Sequence, residues 1–246
     1  AWAAERHGIS VQVLQESAPG AAAARNRGLA AVDTEWTMFF DSDDTMAPDH
    51  CTRALANSKD VDVVGWNVRY HKGDTSSVQR FYSRDSQYHS LFHGGMSTQR
   101  YMARTSLFRE AGGWNPEVMY WNDIELGARI LSKKPRMRHA GKRITVDIYL
   151  QSKSITGTDF SSRIEPAKVA LREICRTLGD KGPLYTPIKA AILAADSARE
   201  GSEAGPRLFK ELIRKKNARE RMLLSAAYHY QKLGGRATAR LLRPLI

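Results

Sequence analysis

Cysteine is scarce in this chain: Cys51 and Cys175 are the only two in 246 residues. They stand far apart, with none of the short spacings of a thiolate metal site. A disulfide framework is excluded, and both are expected as free thiols in a reducing compartment. Long apolar runs are also missing. No stretch approaches the ~18 apolar residues of a membrane-spanning helix, and the N-terminus lacks the charged-then-apolar order of a signal peptide, so the expected location is cytoplasmic. Acidic residues run short toward the C-terminus. Of the formal net charge of +12, residues 164–246 contribute 17 Lys and Arg against 8 Asp and Glu, or +9, leaving +3 for the rest. A near-neutral first part joined to a basic last part suggests peripheral attraction to an anionic surface, such as the inner membrane face. No nucleic-acid module is recognisable, so nucleic acid is not an expected partner. The composition, 42% hydrophobic and 26% charged, suits one sizeable globular core with a second, smaller unit.

What is present is organised around residues 35–49. Trp36, Thr37, Met38, Phe39 and Phe40 form an apolar run too short for a helix, and it leads directly into Asp41, Ser42, Asp43 and Asp44. Such a run reads as a buried strand. In an open α/β sheet ligands bind beyond the carboxyl ends of strands, so acids placed there face a crevice. Where the backbone turns at the strand's end, Asp41 and Asp43 can converge on one divalent cation that holds a phosphate. The structural alternative is that Asp43 or Asp44 starts a turn or caps the helix after Pro48.

In chain order, residues 1–7 read as the end of a helix stopped by Gly8, and residues 11–14 as a short strand. Pro19 and Gly20 open an alanine-rich helix over 21–31 that carries Arg25, Asn26 and Arg27; with residues 36–40 this makes a parallel crossover. A helix is expected over 48–57, strands over 61–70 and 78–82, and then a less regular stretch. That stretch holds His89 and His93, one helical turn apart, a spacing compatible with metal but lacking a third ligand. A short helix over 105–111 stops at Gly112 and Gly113, and another begins at Asn122 and Asp123, where acids also suit the helix dipole. A strand over 144–150 closes the α/β part. Residues after 164 read as helices over 166–178, 187–199 and 208–233, the last with a break. They are expected to pack on the first part, on each other or on a membrane.

Four stretches, in order, resemble family-2 glycosyltransferases of the GT-A fold: residues 20–29, 40–44, 112–115 and 121–126. The resemblance covers residues 1–156 and implies an α/β, Rossmann-like mixed sheet followed by a basic helical region over 157–246. It implies an enzyme that moves a sugar from a nucleotide diphosphate sugar, most commonly a UDP-sugar, to a saccharide or glycolipid acceptor, with inversion and with Mn2+ or Mg2+. Asp41 then lies near the donor ribose and Asp43 coordinates the metal, with Asp44 as a third candidate. Arg25 and Asn26 lie beside the nucleotide. Asp123 is the catalytic base, and Trp114, Trp121 and Asn122 are offered to the acceptor. The setting implied is bacterial surface polysaccharide or glycolipid assembly. The Gln-x-x-Arg-Trp motif of processive members is absent, which implies a single addition.

Two departures stand out. Asn122 occupies a place where the family usually has an acid before the base. The family's first strand, helix and second strand have no counterpart before Ala1, so the chain is expected to be an N-terminally incomplete fragment, inactive for want of half the donor pocket. Two rivals remain. Asp41, Asp43 and Thr45 also match the opening of haloacid-dehalogenase-type phosphatases, although that family carries a glycine where Asp44 stands. The other is a non-enzymatic scaffold whose basic tail binds an anionic surface.

Overall fold

The computed structural model describes residues 10–150, 160–235 and 237–245. The helix end expected before Gly8 and the stretch 151–159, within the expected boundary, lie outside the described residues. The first described element is α1 (Ala21–Ala31), followed by β1 (Trp36–Met38), β2 (Thr45–Met46) and α2 (His50–Ala56). Then come β3 (Val63–Gly65), β4 (Val68–Lys72), β5 (Thr75–Gln79), α3 (Ser86–His93), β6 (Tyr101–Arg104) and α4 (Thr105–Glu110). The α/β part closes with α5 (Asn122–Ser132), β7 (Met137–His139) and β8 (Val146–Tyr149). Five helices follow: α6 (Ile164–Leu178), α7 (Gly182–Arg199), α8 (Ala204–Ile213), α9 (Ala218–Lys232) and α10 (Thr238–Leu242).

The main sheet has the order β1-β6-β3-β7, with β6 antiparallel to both neighbours and β3 parallel to β7. Its two inner strands, β6 and β3, are buried on both sides because both faces are covered. Successive side chains point to opposite faces. Val63, Tyr101 and Ala103 therefore join Ala22, Leu29, Phe108, Leu126 and Ile130 on the face covered by α1, α4 and α5. Val64 and Met102 join Ala54, Trp66, Val146 and Ile148 on the other. A second four-stranded sheet has the order β2-β8-β4-β5.

Three expectations need correction. Residues 11–14 are not a strand: Val11 is 56% and Val13 90% exposed, and no described strand pairs with them. A strand exists only through its ladder, so alternation alone does not make one. Consequently the parallel crossover through α1 is not present among the described residues. The single strand expected over 61–70 is two, one in each sheet, because the chain leaves the main sheet after Gly65. At Gly65 the Phe81 ring lies so close that an added Cβ would meet it at 2.1 Å. Just beyond, the Asn67 Oδ1 accepts from the Phe81 N–H at 2.9 Å.

The last five helices pack against the α/β part. Ile124 and Ala128 of α5 share a cluster with Ala170, Ile174 and Leu178 of α6, and Tyr120 joins the core of α7, α8 and α9. The basic residues of these helices leave an apolar side that is spent on packing. No helix among the described residues is long and apolar enough to cross a membrane. Both cysteines are free, Cys51 exposed and Cys175 half-buried.

Candidate active site

β1 delivers the acids. After Phe40 the backbone turns, the Asp44 N–H donating to the Asp41 carbonyl at 3.3 Å, and the side chains fan out beyond the strand end. Arg25, in the second turn of α1, reaches across and donates from Nη2 to Asp41 Oδ1 at 2.8 Å. Gln99 Nε2 donates to Asp41 Oδ2 at 2.5 Å and to Asp44 Oδ2 at 2.7 Å, and the Tyr149 N–H donates to Asp44 Oδ1 at 2.9 Å. Burial pushes the Asp44 carboxyl above the usual range; the Tyr149 N–H opposes this, and the charges of Asp43 and Asp41 add to it.

Asp123 approaches the same place from the start of α5. Its Oδ1 accepts the Ile124 N–H at 2.8 Å. Burial raises its carboxyl pKa, with the Ile124 N–H and the Arg25 charge opposing and the Asp41 charge adding. Arg25, Asp41 and Asp123, from three separate parts of the chain, thus share one electrostatic neighbourhood. The residue before α5's first turn is conformationally costly: Trp121 has φ 56, a left-handed value that costs a non-glycine about 1–3 kcal/mol. Its ring stacks on Tyr120 at 4.7 Å, and the Lys189 ammonium of α7 sits 4.6 Å from its centroid. Lys189 makes no hydrogen bond or ion pair among the described residues. Burial pushes its amine down to about 8, against the pull of the Asp123 and Asp196 charges.

The remaining sequence-predicted residues divide. Trp114 is only 2% exposed, wedged edge-on against Phe39 at 4.4 Å and stacked on Phe108 at 5.9 Å, so in this structure it packs the core and offers no face to an acceptor. Asn26 spends both ends of its amide on that residue: Nδ2 donates to the Trp114 carbonyl and Oδ1 accepts the Trp114 N–H, each at 2.8 Å. It fastens α1 to the loop before α5, leaving Arg25 beside it to face the acids. Trp121 and Asn122 are half-buried. His89 and His93 are not joined by a third ligand; His89 stacks on Tyr82 at 3.8 Å. Gln99 and Lys189 escaped the sequence reading, since a lone Gln before an Arg and a lone Lys in a basic helical region carry no local pattern.

For a divalent cation, the set is open and not preformed. Both oxygens of Asp41 are engaged, and no group of three His, Cys, Asp or Glu among the described residues is placed to hold a metal. Asp43 is exposed at the turn. One such carboxylate completed by substrate phosphates and water fits Mg2+ or Mn2+, which rarely need an all-protein cage.

Residues 1–114 match the sequence model described as glycosyl transferase family 2. No curated protein sequence matches the chain. Among solved structures, residues 1–349 of S. aureus TarS superpose with a TM-score of 0.56 at 14% identity, covering 100% of this chain and 78% of that one. The same TarS piece in complex with UDP-GlcNAc gives 0.56 at 14% identity, covering 99% and 78%. A longer S. aureus TarS chain gives 0.61 at 14% identity, covering 99% of this chain and 46% of that one. At this identity the structural likeness is one of fold.

Proposed function

We propose that this chain, whose residues 1–114 match the glycosyl transferase family 2 model and whose fold is GT-A-like, transfers a sugar in its crevice from a UDP-sugar to a hydroxyl of a saccharide or glycolipid, singly and with inversion. The observation that carries this is the ion pair of Arg25 with Asp41 at 2.8 Å beyond the end of β1, whose charges Asp123 feels from the start of α5. Arg25, with its planar fork of donors, binds the nucleotide side of the donor and holds Asp41 in place. Gln99 fixes the other Asp41 oxygen and Asp44, so the acid turn is organised before substrate arrives. Asp123 accepts the proton of the acceptor hydroxyl as that oxygen attacks the anomeric carbon. A raised pKa brings a carboxylate nearer to the operating pH, which strengthens it as a base. Trp121 offers its half-buried ring to the acceptor sugar, and Asn122 beside it supplies a polar contact. Asp43 is the residue to hold a divalent cation. Bound there with the diphosphate, Mn2+ or Mg2+ would neutralise negative charge on the leaving group. That the TarS structures hold UDP-GlcNAc and UDP supports a uridine nucleotide here.

The match of residues 1–114 to the glycosyl transferase family 2 model favours this reading over the phosphatase rival, and turnover separates it from the scaffold. The test is calorimetric titration of UDP with and without Mn2+, together with transfer or donor hydrolysis. Asp43→Ala is expected to abolish the Mn2+-dependent part of UDP binding. Asp123→Asn is expected to keep UDP binding and to lose about 10²–10⁴-fold in turnover, the usual share of a general base. UDP binding that ignores both Mn2+ and Asp43 would refute the donor-site assignment.

A further inference from the structure

A second cavity, of about 780 Å³, lies between β5, α3 and α10 on the side of α3 that carries His89 and His93. Its charge is lopsided. Arg80, Arg84, Arg240 and Arg243 line it, and its one acid, Asp85, is already paired with Arg243. The guanidinium groups of Arg80, Arg84 and Arg240 make no hydrogen bond or ion pair among the described residues.

The wall behind them is positive as well. Arg100 is fully buried, and its guanidinium donates only to neutral groups: the Gln79 side chain and the carbonyls of Arg80, His93 and Gly94, at 2.7–3.1 Å. Two lining residues hold polar atoms without partners. The hydroxyl of Tyr88, 4% exposed, and Nδ1 of His89, 9% exposed, are both buried and unbonded. Buried cations facing unpaired surface cations are costly unless an anion joins them. His93 registers the same field, since burial together with His89, Lys189, Arg100 and Arg240 pushes its imidazole down to about 4.

We propose that this cavity binds a phosphate-bearing acceptor, with Arg84 and Arg240 as the phosphate-contacting arms. This rests on the glycosyltransferase reading. The cavity adjoins the site through α3: His93 lines it, and Leu91 and Phe92 of the same helix pack in one cluster with Ile124 and Trp121 at the start of α5. An acceptor anchored by its phosphate here projects a neighbouring hydroxyl toward Trp121 and Asp123. Guanidinium is suited to the task, since its fork matches two phosphate oxygens at once. The phosphate can be carried by a soluble polymer or by a lipid headgroup.

The test titrates inorganic triphosphate, and separately vesicles containing phosphatidylglycerol, into the chain at 0.15 M NaCl, where diffuse attraction is screened beyond ~8 Å. The chain is compared with Arg84→Ala/Arg240→Ala and with Arg84→Lys/Arg240→Lys. Both side chains are exposed, and thermal melting checks that each variant folds. Triphosphate binding that weakens about tenfold or more in the alanine variant, and is partly kept in the lysine variant, is the expected result. Vesicle binding with the same dependence, without triphosphate binding, supports the site with a lipid-borne phosphate. Binding of both probes that is equal in all three proteins, or absent from all three, overturns the proposal. UDP titration of the unsubstituted chain reads the donor site separately. Absent UDP binding beside arginine-dependent triphosphate binding would refute the donor site and not the cavity.

Discussion

Asn26 sits one residue from Arg25 and shares its helix, yet its role in the structure is to bind Trp114 by both ends of its amide at 2.8 Å. Replacing it with alanine removes two hydrogen bonds and strands the N–H and carbonyl of a residue that is 2% exposed. An unsatisfied buried polar group costs about 1–3 kcal/mol, so Asn26→Ala should destabilise the fold by about 2–5 kcal/mol. For a chain of this size 1 kcal/mol moves Tm by about 2–4 °C, which places the expected drop at about 4–20 °C. Asn26→Asp should be no milder, because its carboxylate keeps the acceptor for the Trp114 N–H but faces the Trp114 carbonyl without a donor. The assay is thermal unfolding followed by circular dichroism, paired with UDP calorimetry below the transition. Arg25 is untouched in both variants, so UDP affinity is expected to stay within about threefold of the parent, or ~0.7 kcal/mol. A variant that melts like the parent but binds UDP tenfold or more weakly would sink this reasoning and make Asn26 a donor-binding residue.

Asp123→Asn should raise Tm at neutral pH. A carboxyl whose pKa is raised on folding favours the folded state below its ordinary range, and that contribution is lost as pH rises through the raised value; the gain from Asn should therefore fade on acidification. In transfer assays the acid limb of the pH profile should lie above the ordinary Asp range, and Lys189→Met, which removes a cation felt by Asp123, should move that limb to higher pH. An unmoved limb would mean that Lys189 does not act on the base. Glu125 is 2% exposed and grips Arg129 with both oxygens at 2.6 Å, so Glu125→Ala should cost about 3–5 kcal/mol by leaving a partly buried guanidinium unpaired, read in the urea midpoint. Gly65→Ala, whose Cβ would strike the Phe81 ring at 2.1 Å, should cost about 1–3 kcal/mol or more through overpacking.

Local pattern was enough to read α1 from its alanines, β1 from its aromatic run, α5 from its acids and apolar stripe, and the helical character of everything after residue 164. These are short-range properties: propensity, periodicity and caps act within a few residues. Asp41, Arg25 and Asp123 were legible for the same reason, each standing at an element's end or first turns where a family pattern marks it. Pairing was not legible. β6 is four residues long and follows a polar run, and it exists because it finds β1 on one side and β3 on the other. Residues 11–13 are exposed and the segment 11–14 forms no strand because no described partner completes its ladder. Side-chain destination was equally out of reach, since it depends on contacts between residues far apart in the chain. Asn26 and Trp114 look like ligand-binding residues until 88 positions of chain close and bind them to each other. Lys189 looks like one more surface cation until α7 packs against α5's neighbours and lays it over Trp121, where it feels the charge of Asp123.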